Sequence, residues 1–168
     1  LMFRAMINEG DEVLIPQPSY VSYEPCAILA GAKPVIINLK AENEFRLTAA
    51  ELEEAITEKT KILILPFPNN PTGAAITQDR LQKWVDYANE NGAVIIYDAA
   101  YEAYISEQNI PHSIYECANA RTCAIEIRIF SKNAGFTGLR LGYTVVPKDL
   151  MCGEASLHDM WARRHGTK

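Results

Sequence analysis

Histidine, cysteine and basic charge are in short supply in this 168-residue chain, and each shortage removes a class of function. The 3 histidines and 4 cysteines form no CxxC pair and no zinc-type spacing, so no metal centre is expected. Cys26, Cys117, Cys123 and Cys152 read as reduced core or surface thiols, which fits a cytoplasmic setting. Lys and Arg number 16 against 21 Asp and Glu, a formal net charge of -5. The cluster Arg163, Arg164 and His165 is too short to make a phosphate-binding surface, so no nucleic-acid partner is expected. Long apolar runs are missing too. The apolar opening, residues 1–7, is interrupted by Arg4 and is too short for a signal or membrane helix, so no membrane role is implied. No GxGxxG follows an apolar run, which argues against a dinucleotide-binding domain. Repeats, low-complexity stretches and linkers are absent, and one domain is the simplest organisation.

What is present is ordinary globular composition, 48% hydrophobic and 22% charged. Six short runs rich in Ile and Val, at 13–15, 35–37, 62–65, 94–97, 124–127 and 141–146, are bounded by turn residues and read as buried strands. Helical patterns cover 20–29, 49–56, 77–91, 156–165 and, more weakly, 112–118. Thr77 is placed to cap one helix and Gly92 to stop it. Strands alternating with helices of this length predict an α/β fold, a three-layer sandwich with a mostly parallel sheet covered on both faces. The chain opens in what reads as the end of a helix near Gly10 and stops soon after the 156–165 pattern, so it is expected to be part of a longer protein. In open sheets of this kind ligands collect beyond the carboxyl ends of the strands. Asn70, Asp98 and Lys132 each follow a predicted strand, so three polar groups distant in sequence are expected to converge.

Three motifs carry chemistry: NNPTG at 69–73, DAAY at 98–101, and FSKNAGFTGLR at 130–140, with Arg140 eight positions after Lys132. Together they resemble the large domain of the fold-type I pyridoxal 5'-phosphate-dependent aminotransferases of class I and II. Residues 77–168 are most similar to the LL-diaminopimelate aminotransferase branch, through YDAAYEAY at 97–104, AGFTG at 134–138 and WARRHGTK at 161–168. Residues 14–75, with QPSYVSY at 17–23, look more like the aromatic and alanine aminotransferases. The resemblance implies that residues 1–168 are the central part of the large domain, without the N-terminal segment or the small domain. It also implies that the last sheet strand is antiparallel to its neighbours.

A lysine amine in a partly desolvated site can act as nucleophile and base. The resemblance makes Lys132 the Schiff-base former and the residue that moves a proton at the substrate α-carbon. A pyridine ring withdraws electrons best when its nitrogen is protonated, which calls for a carboxylate, and Asp98 fits. Tyr101 and Asn70 are implied donors to the cofactor's phenolic oxygen, with Pro71 and Gly73 presenting Asn70 rigidly. Arg140 offers a planar fork for the phosphate, Ser131 flanks the lysine, and Tyr20 is placed to stack on the ring. Ile129 departs from the pattern, standing where the related enzymes usually have a phosphate-binding serine. The implied activity is transfer of an amino group between an amino acid and a 2-oxo acid by a homodimer, in lysine biosynthesis if the branch resemblance holds. A C–S lyase, a decarboxylase or a non-catalytic cofactor-binding module on the same scaffold are the alternatives.

Overall fold

Branched side chains are stiff at χ1 and fill both faces of a pleated sheet, so the Ile- and Val-rich runs become strands. In the computed structural model, which describes residues 2–165, these are β1 (Glu12–Gln17), β2 (Lys33–Asn38), β3 (Thr60–Pro66), β4 (Val94–Asp98), β5 (Ala124–Ile129) and β6 (Gly142–Val145). They pair in the order β2-β1-β3-β4-β5-β6. The first five run parallel, and β6 is antiparallel to β5, as the resemblance implied. A short hairpin, β7 (Met151–Cys152) with β8 (Ala155–Ser156), follows.

Successive side chains of a strand point to opposite faces, and this splits the core in two. Val13, Ile15, Ile62, Ile64, Ile96 and Ile125 pack on one face with Met6 of α1 (Met2–Met6), Ala27 of α2 (Tyr23–Leu29) and Leu157 of α6 (Leu157–His165). Leu14, Leu63, Leu65, Ile95 and Tyr97 pack on the other with Leu52 of α3 (Ala49–Ala55) and with Leu81, Trp84, Val85 and Ala88 of α4 (Gln78–Asn91). The result is the expected three-layer α/β sandwich. Helix α5 (Phe130–Asn133) is a single turn directly after β5. Among the described residues no helix is long and apolar enough to cross a membrane.

Three sequence expectations change. The helix predicted from residue 20 begins at Tyr23, which leaves Tyr20 in a loop at the cleft. The pattern over 112–118 yields one 3-10 turn, Ile114–Glu116. Ser113 and Glu116 form a complete capping box, but Cys117 is extended and Asn119 left-handed, so a helix start signal has no helix to propagate. The opening helix ends at Met6, with a turn between it and Gly10. Leu1 and residues 166–168, the last three of WARRHGTK, lie outside the described residues. Helix α4 runs nearly as expected, from Thr77 as N-cap to Gly92 in the left-handed region, although the Thr77 hydroxyl makes no capping bond.

The strand order reverses between β1 and β3, because β1 connects outward to β2 while β3 lies on its other side. The paired register of β1 with β3 extends only through Leu14, whereas β1 stays in register with β2 to Gln17. Pro16 in β1 has no N–H to donate to a ladder. The sheet is therefore open at its carboxyl edge at the switch point where such folds bind ligands.

Gly142 starts β6 opposite Ile129. A Cβ there would lie 2.7 Å from the Arg128 carbonyl oxygen and 3.1 Å from Ile129 Cγ2. Gly142→Ala is expected to force β6 away from β5 and to cost about 1–3 kcal/mol, measured by denaturant unfolding. An unchanged midpoint would show that the pairing has slack.

Candidate active site

Tyr20, Asn70, Asp98, Tyr101, Ser131, Lys132 and Arg140 all line one cleft of about 400 Å³ at the carboxyl ends of the strands. The size is ordinary for a small-molecule site. No residue nominated from the sequence falls elsewhere. Lys132 sits on α5, and its Nζ lies 5.3 Å from the centroid of the Tyr101 ring.

Asp98 is the last residue of β4. Its Oδ2 accepts from the Tyr23 hydroxyl at 2.7 Å and its Oδ1 from the Ala100 amide at 3.1 Å. Burial raises the Asp98 pKa above the ordinary aspartate value, and these two hydrogen bonds pull it back. Burial, reinforced by the neighbouring Asp98 charge, holds the Tyr23 phenol protonated far above the usual range. Tyr23 went unassigned in the sequence, where its one signal was a place three residues after Tyr20. The two rings meet edge to face, 5.7 Å between centroids.

Asn70 and Tyr101 approach from different strands, with Asn70 Nδ2 3.5 Å from the Tyr101 hydroxyl. The turn that presents Asn70 is closed by Gly73 N donating to Asn69 O and Asn69 N to Ala74 O, each 2.9 Å. Gly73 adopts φ +72, which a residue with a Cβ rarely adopts. Buried Asn69 donates through Nδ2 to Pro18 O at 3.2 Å and so ties the loops after β1 and β3 together.

At the other end of the cleft the Thr137 hydroxyl donates to Ser131 O at 3.0 Å, and Arg140 Nη1 donates to Thr137 O at 3.2 Å. Thr137 lines the cleft and was also not singled out from the sequence. Strand alternation sends Ile127 and Ile129 into the cleft and Glu126 and Arg128 to the opposite face of β5. Among the cysteines, Cys117 and Cys123 are buried in the core, and burial pushes both thiols up to about 11. Cys26 and Cys152 are exposed, and all four are free.

The cleft thus joins an amine, a half-buried carboxylate, two neutral donors, an arginine, two hydroxyls and an aromatic ring. A flat, phosphorylated pyridine aldehyde is complementary to that set. Ile129 is the mismatch, an apolar wall beside Ser131, Thr137 and Arg140.

The family model for aminotransferases of class I and II matches residues 1–161. An LL-diaminopimelate aminotransferase of Lachnospira eligens is 74% identical, the match covering 97% of this chain and 42% of that protein. The structure of L,L-diaminopimelate aminotransferase from Chlamydomonas reinhardtii superposes with a TM-score of 0.87 at 35% identity, over 99% of this chain and 42% of its own. An aromatic aminotransferase from Pyrococcus horikoshii OT3 gives a TM-score of 0.85 at 36% identity, over 98% of this chain and 42% of that one. The chain therefore spans about two fifths of the length of the relatives it matches.

Proposed function

The chain belongs to the class I and II aminotransferases, and on that premise we propose that residues 1–168 are the central part of the large domain of a pyridoxal 5'-phosphate-dependent transaminase. It moves an amino group between an amino acid and a 2-oxo acid. Its specific product is LL-diaminopimelate, in lysine biosynthesis, a reading supported by the 74% identity to the Lachnospira protein. The observation that carries the general activity is the convergence of Lys132, Asp98, Asn70, Tyr101 and Arg140 from three strand ends in one cleft.

Pyridoxal phosphate, when bound, supplies an electrophilic carbon and a conjugated ring that takes up the electron pair released at a substrate α-carbon. Lys132 Nζ would be the covalent anchor for that carbon and the base that carries the substrate α-proton. Asp98 is the carboxylate that would face the ring nitrogen, and hydrogen bonds from the Tyr23 hydroxyl and the Ala100 amide oppose the rise in its pKa that burial causes. Asn70 and Tyr101 hold the phenolic oxygen. Ser131, Thr137 and Arg140 would hold the phosphate, and Tyr20 is placed to stack on the ring.

Ile129 cannot hydrogen-bond a phosphate. Ile129→Ser is expected to tighten cofactor binding by ~1–3 kcal/mol, roughly 5- to 150-fold, in a spectral titration. An unchanged Kd would mean that the phosphate does not reach this wall.

A second copy of the chain is the partner this reading implies, and exposed Phe136, Leu139, Leu141 and Tyr143 beside the lysine turn support it. Four free thiols support a cytoplasmic location. The activity is tested on the whole protein that carries this chain, loaded with pyridoxal phosphate and given glutamate. Equal yields of 2-oxoglutarate and pyridoxamine phosphate are expected. Ammonia with a 2-oxo acid from a thioether amino acid, or carbon dioxide, would instead make it a lyase or a decarboxylase. Bound cofactor with no product would make it a binding module.

A further inference from the structure

Tyr101 and Lys132 face each other across the cleft, yet no strand pairing holds them there. The β4–β5 register ends at Asp98 with Ile127, and one further backbone bond runs from Ala99 N to Ile127 O at 3.0 Å. Beyond it the two segments diverge into a 3-10 turn, Glu102–Tyr104, and into α5. Something other than the sheet sets the 5.3 Å between the lysine amine and the tyrosine ring.

We propose that Glu102, Arg128 and Tyr104 are positioning residues that form a two-point clasp holding the Tyr101 turn to the Lys132 turn. This rests on the reading of Tyr101 and Lys132 as site residues. The first point is the ion pair from Arg128 Nη1 to Glu102 Oε1, 3.0 Å, with both side chains less than a fifth exposed. The second is the Tyr104 hydroxyl donating to the Lys132 carbonyl at 3.1 Å. One point lies on each flank of the facing pair: Glu102 directly follows Tyr101, and Arg128 and the Lys132 carbonyl bracket the start of α5. The Tyr101 and Tyr104 rings, 6.3 Å apart, fill the space between them.

The anchor of the first point is itself fixed. Arg128 also reaches Glu126 Oε1 through Nε at 2.7 Å and His112 O through Nη2 at 2.6 Å. Glu126 is buried and is further bonded by the Ser113 hydroxyl, 2.6 Å, and the Ile114 amide, 3.0 Å. The second oxygen of Glu102 lies 3.1 Å from His112 Nδ1. A guanidinium with three acceptors in its fork geometry has little freedom to move. Because Arg128 alternates to the face away from Ile127 and Ile129, it does not line the cleft and acts through the backbone. A displacement of about 1 Å in such a site costs on the order of 10²-fold in rate, which is why a clasp here matters to function.

Glu102→Leu is the informative variant, since it removes the acceptor while Arg128 keeps Glu126 and the His112 carbonyl. Tyr104→Phe removes only the hydroxyl. Hydrogen exchange on the cofactor-free protein reads the clasp directly. Each variant is expected to speed exchange by tenfold or more in both 101–105 and 130–134 together, leaving the β-strand amides unchanged. After pyridoxal phosphate is added, adduct formation at Lys132 is expected to slow about tenfold, and the pH midpoint of the visible band is expected to move. Faster exchange confined to 101–105, with wild-type exchange at 130–134 and a wild-type pH midpoint, would overturn the clasp. If the unmutated protein forms no adduct at Lys132, the proposed function fails, and the exchange result alone then decides whether the two turns are coupled.

Discussion

Lys132→Ala is expected to abolish the borohydride-stable adduct with pyridoxal phosphate and to lower transaminase turnover by at least ~10⁴-fold, the upper range for losing a general base. In the proposed function one amine serves as both covalent anchor and proton carrier, so the loss should exceed that of a base alone. The fold should not notice. Lys132 is half-buried on a one-turn helix, and its Nζ approaches the Tyr101 ring at 5.3 Å. A change of about 0.5 kcal/mol or less in unfolding free energy is expected. Peptide mapping of the reduced adduct, run beside a thermal melt, separates loss of chemistry from loss of structure. An adduct that persists on another lysine, with turnover intact, would remove Lys132 from its assigned place.

Asp98→Asn should lower turnover by about 10²–10³-fold, the usual effect of deleting one preorganised electrostatic partner, and should make the cofactor-free protein more stable. The second half follows from the sign of the pKa shift. Burial raises the folded-state pKa of Asp98 above its unfolded value, so the folded state favours the protonated acid. The stability contributed by this group is fully present below the unfolded pKa, about 3.9, and is lost as pH rises through the folded value. At pH 7 the ionised carboxylate therefore costs the fold free energy. A neutral asparagine, still able to meet the Tyr23 hydroxyl and the Ala100 amide, removes that cost. A gain in unfolding free energy at pH 7, vanishing below about pH 4, fits the usual trade of stability against activity. Chemical denaturation at the two pH values measures it. Destabilisation at pH 7 would mean that the anion, with its two donors, is the form the fold prefers.

That Asn70, Asp98 and Lys132 would stand at the carboxyl edge was legible because each lies within a few positions of a strand end, and strands announce themselves through short Ile- and Val-rich runs; the roles assigned to them rest on the resemblance of their motifs. Local rules sufficed for that, since periodicity, proline, glycine and capping act over a handful of residues. They sufficed less well at 112–118, where Ser113 and Glu116 carry a helix-start signature and the chain leaves after one turn. Glu126 is the sharper case. It sat inside a run read as apolar, and its burial is possible only because Arg128, Ser113 and the Ile114 amide surround its carboxylate.

The sequence by itself determined the α/β layering, the six strands of the main sheet, and which residues would stand at the carboxyl edge, because those depend on local propensity and alternation. Tertiary structure alone decided that Tyr23 meets Asp98, 75 positions away, and that Glu102 meets Arg128 across two segments of different strands. Such meetings depend on strand order and register, and on the reversal between β1 and β3. These are set by how whole faces of apolar side chains bury against one another, a sum over the sheet that no local spacing contains.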